Sequence, residues 1–372
     1  MNSFVHIVCL DAPAPPNYGG AIDMFYKIKA LAESGRKVIL HYFNYNQKRG
    51  VEQLATLCHS IFVYERKRFL PSFDISLPYI VSSRINSQLI NRLNSDEHPI
   101  LLEGFHCSGI IPYLKNKDRK IVIRVHNNEA DYYEHLSNGE RSFFKKMYFK
   151  RESRLLHKYQ QEIDKKITLA CLSQSDVLKL AHAYNYQSVH FIPCFIPWQK
   201  IACQTGLGTY CLYHGNMAVS ENENAAQWLA EKVFAHLEIS FIIAGGNISK
   251  RLKSIVQRHK NIAVVENPGE SQLQSLIKHA HVHVLTSLNN TGVKLKLLHA
   301  LTNGRFCISN AAGIEGSKIS AGVLIAGNAQ EYIKAINGLM SVPFTEADAH
   351  VRSTVLGWYN NVSNAEKLSA LL

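Results

Sequence analysis

Short apolar runs alternate along this chain with stretches whose apolar residues recur every three or four positions. Val5–Leu10 is a short apolar run of strand length, interrupted by His6. Asp11–Gly20 follows with Pro13, Pro15 and Pro16, which no helix or strand accommodates. Ala21–Ser34 then sets Ile22, Phe25, Ile28 and Ala32 on one helical face, Gly35 is a C-cap candidate, and Lys37–Phe43 is the next strand. The alternation continues with strands at Pro99–Leu102, Lys120–Val125, Lys166–Leu172 and Val189–Ile192, and with helices over Glu140–Lys166 and Ser173–Ala183. Phe195–Thr209 carries Pro197, Gly206 and Gly208 with little periodicity and reads as a domain boundary.

The second half restarts with strand Tyr210–Tyr213. Helix Asn222–Phe234, strand Ser240–Ala244, helix Lys250–His259, strand Ile262–Val265, helix Glu270–Lys278 and strand His281–Thr286 follow. Asn289, Asn290 and Thr291 then supply cap-type residues for a helix opened by Gly292 and ended by Gly304. Phe306–Ser309 is a short strand, and Glu331–Leu339 and Asn364–Leu372 are helical. Such βα alternation predicts an α/β protein of two doubly wound, Rossmann-like domains, one over residues 1–200 and one over 201–344.

In open α/β sheets, ligands bind beyond the carboxyl ends of the strands. In the first half those ends carry Glu103 and His106, then His126, Asn127 and Glu129. In the second half they carry Gly215 with Asn216, and Gly245. In the helix expected from Gly292, Leu295, Leu297, Leu298 and Leu301 form an apolar arc, with Lys296 and His299 together on the other face. Lys294 and Lys296 in a first turn oppose the helix dipole, an arrangement that makes sense if a phosphate sits in front of the helix. His279, His281 and His283 suggest metal ligation, but no acidic or cysteine partner is near in sequence, and strand packing accounts for them better.

Thr291-Gly-Val-Lys-Leu-Lys-Leu-Leu-His-Ala-Leu301, followed by Gly304-Arg-Phe-Cys-Ile-Ser309 and Gly313-Ile-Glu-Gly316, resembles the donor-binding segment of family-4-like glycosyltransferases (group 1), which have the GT-B fold. Pro16-Asn-Tyr-Gly-Gly20 resembles the first glycine loop of such enzymes, and Arg124-Val-His-Asn-Asn-Glu129 with Tyr132 and Tyr133 their acceptor-side motif. Asn224–Leu229 and the Gly245-Gly246 strand end fit the same pattern. The resemblance implies two domains facing a cleft, with residues 345–372 packing back on the first. It implies a nucleotide-diphosphate sugar donor held by the second domain and a glycan or lipid-linked acceptor entering from the first, in surface polysaccharide synthesis. Gly19, Gly20, Thr291, Gly292, Val293, Lys294 and Lys296 would contact the donor phosphates, and Gly215, Asn216, Gly245 and His299 the nucleotide. Glu103, His106 and Asn127 would meet the acceptor, and His126 and Glu129 the reacting centre. No cofactor or metal ion is expected. The family's Glu-x7-Glu pair falls on Thr291 and His299, so both carboxylates are replaced. This departure keeps open a non-catalytic relative acting as a binding subunit; a nucleotide-sugar epimerase is the other alternative.

Composition narrows the partners only in part. The 372 residues suffice for two domains, and 46% hydrophobic with 19% charged residues suits buried cores. A net charge of +12 favours anionic partners, among them nucleotide-sugars and acidic lipid. No nucleic-acid module accompanies the basic residues, so nucleic acid is not an expected partner. Eight cysteines without a Cys-x-x-Cys point to a reducing cytoplasm. Phe143, Phe144, Met147, Tyr148 and Phe149, interleaved with Lys145, Lys146, Lys150, Arg151 and Arg154, suggest a helix that could lie at the inner face of an anionic membrane. The same pattern also fits a helix packed on its own domain with a solvated basic face. A protonated histidine at 299 would draw a diphosphate, so the sequence predicts tighter nucleotide binding as pH falls.

Overall fold

A computed structural model of the chain describes residues 3–44, 50–67, 74–140, 142–288 and 291–372, apart from the side chain at 355. Its apolar runs become the strands of two parallel sheets. The first contains β1 (Phe4–Cys9), β2 (Lys37–Asn44), β3 (Cys58–Glu65), β4 (Ile100–Glu103), β5 (Ile121–Val125), β6 (Thr168–Cys171) and β7 (Val189–Phe191), in the order β3-β2-β1-β4-β5-β6-β7. Both faces of this sheet are covered. Val5, Ile7 and Cys9 pack with Met24, Ile28 and Leu31 of the Gly19–Glu33 helix, while Val8 faces the other side with Leu102, Ile123 and Val125. Covering both faces is why the central strands read as largely apolar runs, broken by the buried His6, His41 and Arg124.

β3 escapes sequence reading for the converse reason. It is an edge strand, paired on one side to β2, and most of Cys58–Glu65 is half-buried or exposed, with Val63 54% exposed. Without a buried stripe there is no periodic signal.

The second sheet contains β8 (Cys211–His214), β9 (Phe241–Gly245), β10 (Ile262–Glu266), β11 (Val282–Leu285), β12 (Phe306–Ser309) and β13 (Leu324–Ile325), in the order β10-β9-β8-β11-β12-β13. All the printed pairings within both sheets are parallel. Gly245 is fixed by packing: a Cβ there would lie 1.8 Å from the Gly215 carbonyl oxygen. His281 and His283 are fully buried, and their Nε2 atoms donate to the carbonyls of Leu339 (2.9 Å) and Ile277 (3.0 Å).

The chain divides into Met1–Pro197 with Tyr359–Leu372, and Trp198–Trp358. This corrects the expected extent of the returning tail. Residues 345–358 stay with the second unit, because Arg352 is buried there, donating to the carbonyl oxygens of Leu301 (3.1 Å) and Gly304 (2.6 Å) and lying over Phe344. Only the last helix, Asn361–Leu371, joins the first unit. Ala365 and Leu368 are buried there beside Ile28 and Leu31, and Arg36 donates to the Ser369 carbonyl (2.7 Å).

Candidate active site

In the second unit the strand order reverses between β8 and β11, and a crevice is expected at such a reversal. β8 runs through Tyr213 and His214 into Gly215 and Asn216, and β11 runs into Thr286 and Ser287. The Ser287 hydroxyl donates to Glu221 Oε1 (2.6 Å), and the Ser287 amide donates to Asn310 Oδ1 (3.0 Å). Lys296 Nζ donates to the Tyr213 hydroxyl (3.0 Å) and to Asn222 Oδ1 (3.1 Å). Lys294 Nζ donates to the Thr291 carbonyl (2.8 Å). Burial lowers both lysines, Lys296 to about 8, against the opposing pull of the Glu221 carboxylate. Two lysines, one carboxylate and several hydroxyl or amide groups thus surround this strand end, with one surplus positive charge when all are ionised.

The helix in front of it departs from expectation in two ways. It spans Leu295–Asn303 with Lys294 at its N-cap, not a start at Gly292. Gly292 has φ +65°, a left-handed conformation that suits glycine and breaks the helix, so Thr291, Gly292 and Val293 form a turn. Asn289 and Asn290, expected as caps, lie outside the described residues. Secondly, His299 does not share an open face with Lys296. It is 6% exposed, its ring stacks on Trp198 with centroids 4.0 Å apart, and its Nε2 meets Gln274 Oε1 (3.0 Å). Burial pushes its pKa down to about 3, so it stays neutral where nucleotides bind, and the expected tightening of binding with acid is withdrawn.

Sequence reasoning missed Glu221, Asn222 and Ser287. Glu221 and Asn222 fall in the first turn of the Ser220–Trp228 helix, where polar residues read as ordinary helix-start chemistry. Their link to Lys296 and Ser287 spans more than 60 positions, and no local pattern reports it. His214 was also passed over. It is 5% exposed, neither ring nitrogen has a partner among the described residues, and burial holds its pKa well below the usual value, helped by His299, His283 and Lys296.

In the first unit the reversal lies between β1 and β4. Here Glu103, at the end of β4, is fully buried, with Lys27 Nζ 2.8 Å away and His126 Nε2 at 2.8 Å. Lys27 also reaches Asp23 (2.8 Å), and Asp23 pairs with Arg124 (2.9 Å). Burial would raise the pKa of both Asp23 and Glu103. Arg124 and Lys27 reverse this for Asp23, and Lys27 and His126 reverse it for Glu103, so both are lowered. Asp23, Glu103 and His126 bring their polar atoms within 4.8 Å of one another, as metal ligands could, but Lys27 and Arg124 already answer the carboxylates. Asp131, Glu134 and His157 converge equally closely, with Lys179 Nζ 2.6 Å from both Asp131 oxygens.

Glu103 was expected to touch an acceptor, and its complete burial corrects that. His126 and Asn127 are half-buried. His106 Nδ1 lies 4.0 Å from Glu129. Glu129 is 6% exposed, and burial with nearby Asp176 raises its pKa to about 8, so near neutrality it is a proton donor and not a base. Gly19 and Gly20 form the first turn of the Gly19–Glu33 helix, in place of the expected loop.

Residues 208–341 match the family model for glycosyl transferases group 1. The second unit is a group 1 glycosyltransferase domain. Over 377 aligned residues the chain is 26% identical to a protein of Klebsiella pneumoniae described as an uncharacterized 44.6 kDa protein in the cps region, covering 91% of this chain and 93% of that protein. Sucrose-phosphate synthase from Thermosynechococcus elongatus superposes with a TM-score of 0.74 at 15% identity, over 99% of this chain and 98% of that one. TarM of S. aureus, a mutant in complex with fondaparinux, alpha-GlcNAc-glycerol and UDP, gives 0.68 at 12% identity, over 100% and 99%. At these identities the likeness establishes the GT-B fold for the whole chain, and the family match applies to residues 208–341.

Proposed function

We propose that this glycosyltransferase moves a sugar from a nucleotide-diphosphate sugar to a hydroxyl of a glycan or lipid-linked acceptor, in the synthesis of a surface polysaccharide. The bond from the anomeric carbon to the diphosphate breaks, a bond to the acceptor oxygen forms, and the acceptor loses its proton. The observation that carries this reading is the pair Lys294 and Lys296 at the β8/β11 reversal of a group 1 domain. Fixed cations there stabilise charge as it builds on the departing diphosphate. The UDP in the TarM complex and the cps-region relative support the donor class and the setting. The reaction as proposed uses no metal or cofactor.

His299, sealed under Trp198, favours one competing reading, a binding subunit without turnover. A thermal-shift screen of nucleotides and nucleotide-sugars, followed by an assay for released nucleoside diphosphate, separates the two. Ligand at 100 times its Kd adds about 2.7 kcal/mol of stability. Stabilisation with turnover supports transfer, and stabilisation without turnover for any sugar and acceptor pair supports the binding subunit. No stabilisation by any nucleotide removes both.

The acceptor class would bring the protein to the inner face of a membrane. The Phe143–Glu162 helix suits this, because Phe143, Phe144 and Met147 are 70%, 84% and 53% exposed, with Lys145, Lys146 and Lys150 exposed beside them. Among the described residues no helix is long and apolar enough to cross a membrane.

A further inference from the structure

Near the amino ends of the second sheet lie two neighbouring arginines that no carboxylate answers. Arg305 immediately precedes β12, whose first residue, Phe306, pairs with Val282 at the start of β11. It therefore lies at the end of the sheet opposite to Gly215 and Ser287. Its NH1 donates to the carbonyl oxygens of Lys278 (3.1 Å), His279 (3.2 Å) and Ala280 (3.2 Å), where the Glu270–His279 helix ends. Its Nε and NH2 have no hydrogen-bond partner among the described residues, although Arg305 is only 5% exposed. Arg352, 2% exposed, donates from NH2 to the Arg305 carbonyl, and its Nε is likewise unpartnered among the described residues.

A buried cation is costly unless a counter-charge answers it. Among the described residues no carboxylate pairs with either guanidinium, and the groups that pull against the desolvation of Arg305 are Tyr210 and Cys203. Arg305 lines a cavity of about 800 Å³ that lies wholly within the second unit. Gln204, Thr205, Ser353 and Glu346 share its wall. The Ser353 hydroxyl spends its proton on the His350 carbonyl (2.7 Å) and keeps its lone pairs. Glu346, at the start of the Glu346–Leu356 helix, is exposed.

We infer that this cavity is a second binding site, for a small polyhydroxylated molecule bearing one phosphate or carboxylate group: Arg305 grips the oxyanion, and Gln204, Thr205, Ser353 and Glu346 meet the hydroxyls. The Nε–NH2 edge of a guanidinium is a planar fork that matches two oxygens of either anionic group. Gln204 and Thr205 can donate or accept, while Ser353 and Glu346 accept, which is the mixture that hydroxyl groups need. The volume is that of a site for one small ligand. Arg352 adds charge from behind the wall, with NH1 3.3 Å from the Sγ of Cys203, which lines the cavity. The site goes beyond the transferase reading and does not depend on it.

Three substitutions separate this site from the lysines at the β8/β11 strand end. Ser353→Glu adds a carboxylate at an exposed position of the wall and removes no hydrogen bond of Arg305. Arg305→Lys keeps the charge and removes the fork. Lys296→Ala removes a cation from the other end of the sheet.

Nitrogen-15 NMR of arginine-labelled protein follows the Nε–H signal of Arg305, assigned by its loss in Arg305→Lys, during titration with inorganic phosphate, a hexose phosphate and a hexuronate. Expected is a saturable shift with the hexose phosphate or the hexuronate, preserved in Lys296→Ala. In Ser353→Glu the affinity should fall about tenfold or more, as for a lost charge-assisted contact. The tighter of the two anionic sugars identifies the anionic group, and inorganic phosphate should bind more weakly than that sugar. Calorimetry of the same titrations in wild type, Lys296→Ala and Ser353→Glu gives the result even where Arg305→Lys does not fold. No binding of any of the three anions overturns the inference, as does binding that Ser353→Glu leaves unchanged or that Lys296→Ala abolishes. Inorganic phosphate bound as tightly as either sugar overturns the polyhydroxylated ligand.

Discussion

At the scale of single residues, burial decides which groups can answer a ligand. Lys296 has its pKa lowered to about 8 because it is desolvated, with Glu221 pulling the other way. A diphosphate beside it would favour its charged form, so binding must take up a proton near that pH. We predict that nucleoside diphosphate affinity weakens as pH rises through about 8, while affinity for the bare nucleoside does not. Calorimetry in two buffers of different ionisation enthalpy measures the proton uptake, and none at pH 8 would detach Lys296 from phosphate binding. Lys296→Ala should cost the diphosphate ~1.5–3 kcal/mol, the value of a charge-assisted contact, and should cost the nucleoside much less. His299 behaves oppositely: held near 3, it contributes no change in binding between mildly acidic and mildly basic pH.

At the scale of elements, two helices carry measurable consequences. The Glu129–Gly139 helix begins with a buried carboxyl whose pKa rises from 4.5 to about 8. Above the unfolded value the unfolded chain is ionised while the folded one still holds its proton. Stability is therefore lost as pH rises from about 4.5 to about 8, by up to about 1.4 kcal/mol per pH unit. Glu129→Gln should remove that slope in denaturant titrations across this range, and an unchanged slope would show that Glu129 ionises normally. The Asn361–Leu371 helix completes the first unit's core through Leu368, which is fully buried. Leu368→Ala should cost the first unit about 2–5 kcal/mol, as for other buried leucines. Limited proteolysis would show this as faster cleavage within residues 1–197, and unaltered cleavage would mean that the helix is a passive cover.

At the scale of the whole molecule, the net charge of +12 has a concentrated outlet in the aromatic and basic start of the Phe143–Glu162 helix. The same helix is anchored by its other face, where Glu152, Ser153, Leu156 and Gln160 are buried, and Ser153 donates to the Ala130 carbonyl (2.9 Å). We predict co-sedimentation with liposomes of acidic lipid at low salt and its loss at high salt, where the Debye length shortens from ~10 Å toward ~3 Å. Phe144→Ser should weaken this association without affecting transfer to a soluble acceptor. Binding to neutral liposomes that ignores salt would assign the helix to apolar insertion alone.

Periodicity and punctuation in the sequence determined most of the architecture. Strands buried on both faces are largely apolar runs, amphipathic helices repeat at 3.6, and glycine and proline mark where each stops, so β1, β5, β8 and β11 and the alternation between them were legible. Gly292, Lys294 and Lys296 were legible as a candidate phosphate site from local pattern alone, and the structure brings both lysines to the β8/β11 strand end. Burial was not. Glu103 reads as a polar strand end until Lys27 and His126 enclose it, and His299 reads as an open helix face until Trp198, about a hundred positions away, stacks on it. Whether a charge is presented to solvent or paired within the fold depends on neighbours distant in sequence, and their desolvation and partners set its protonation state. The sequence therefore determined the elements and the type of chemistry, and the tertiary structure alone decided which groups of that chemistry remain free to use it.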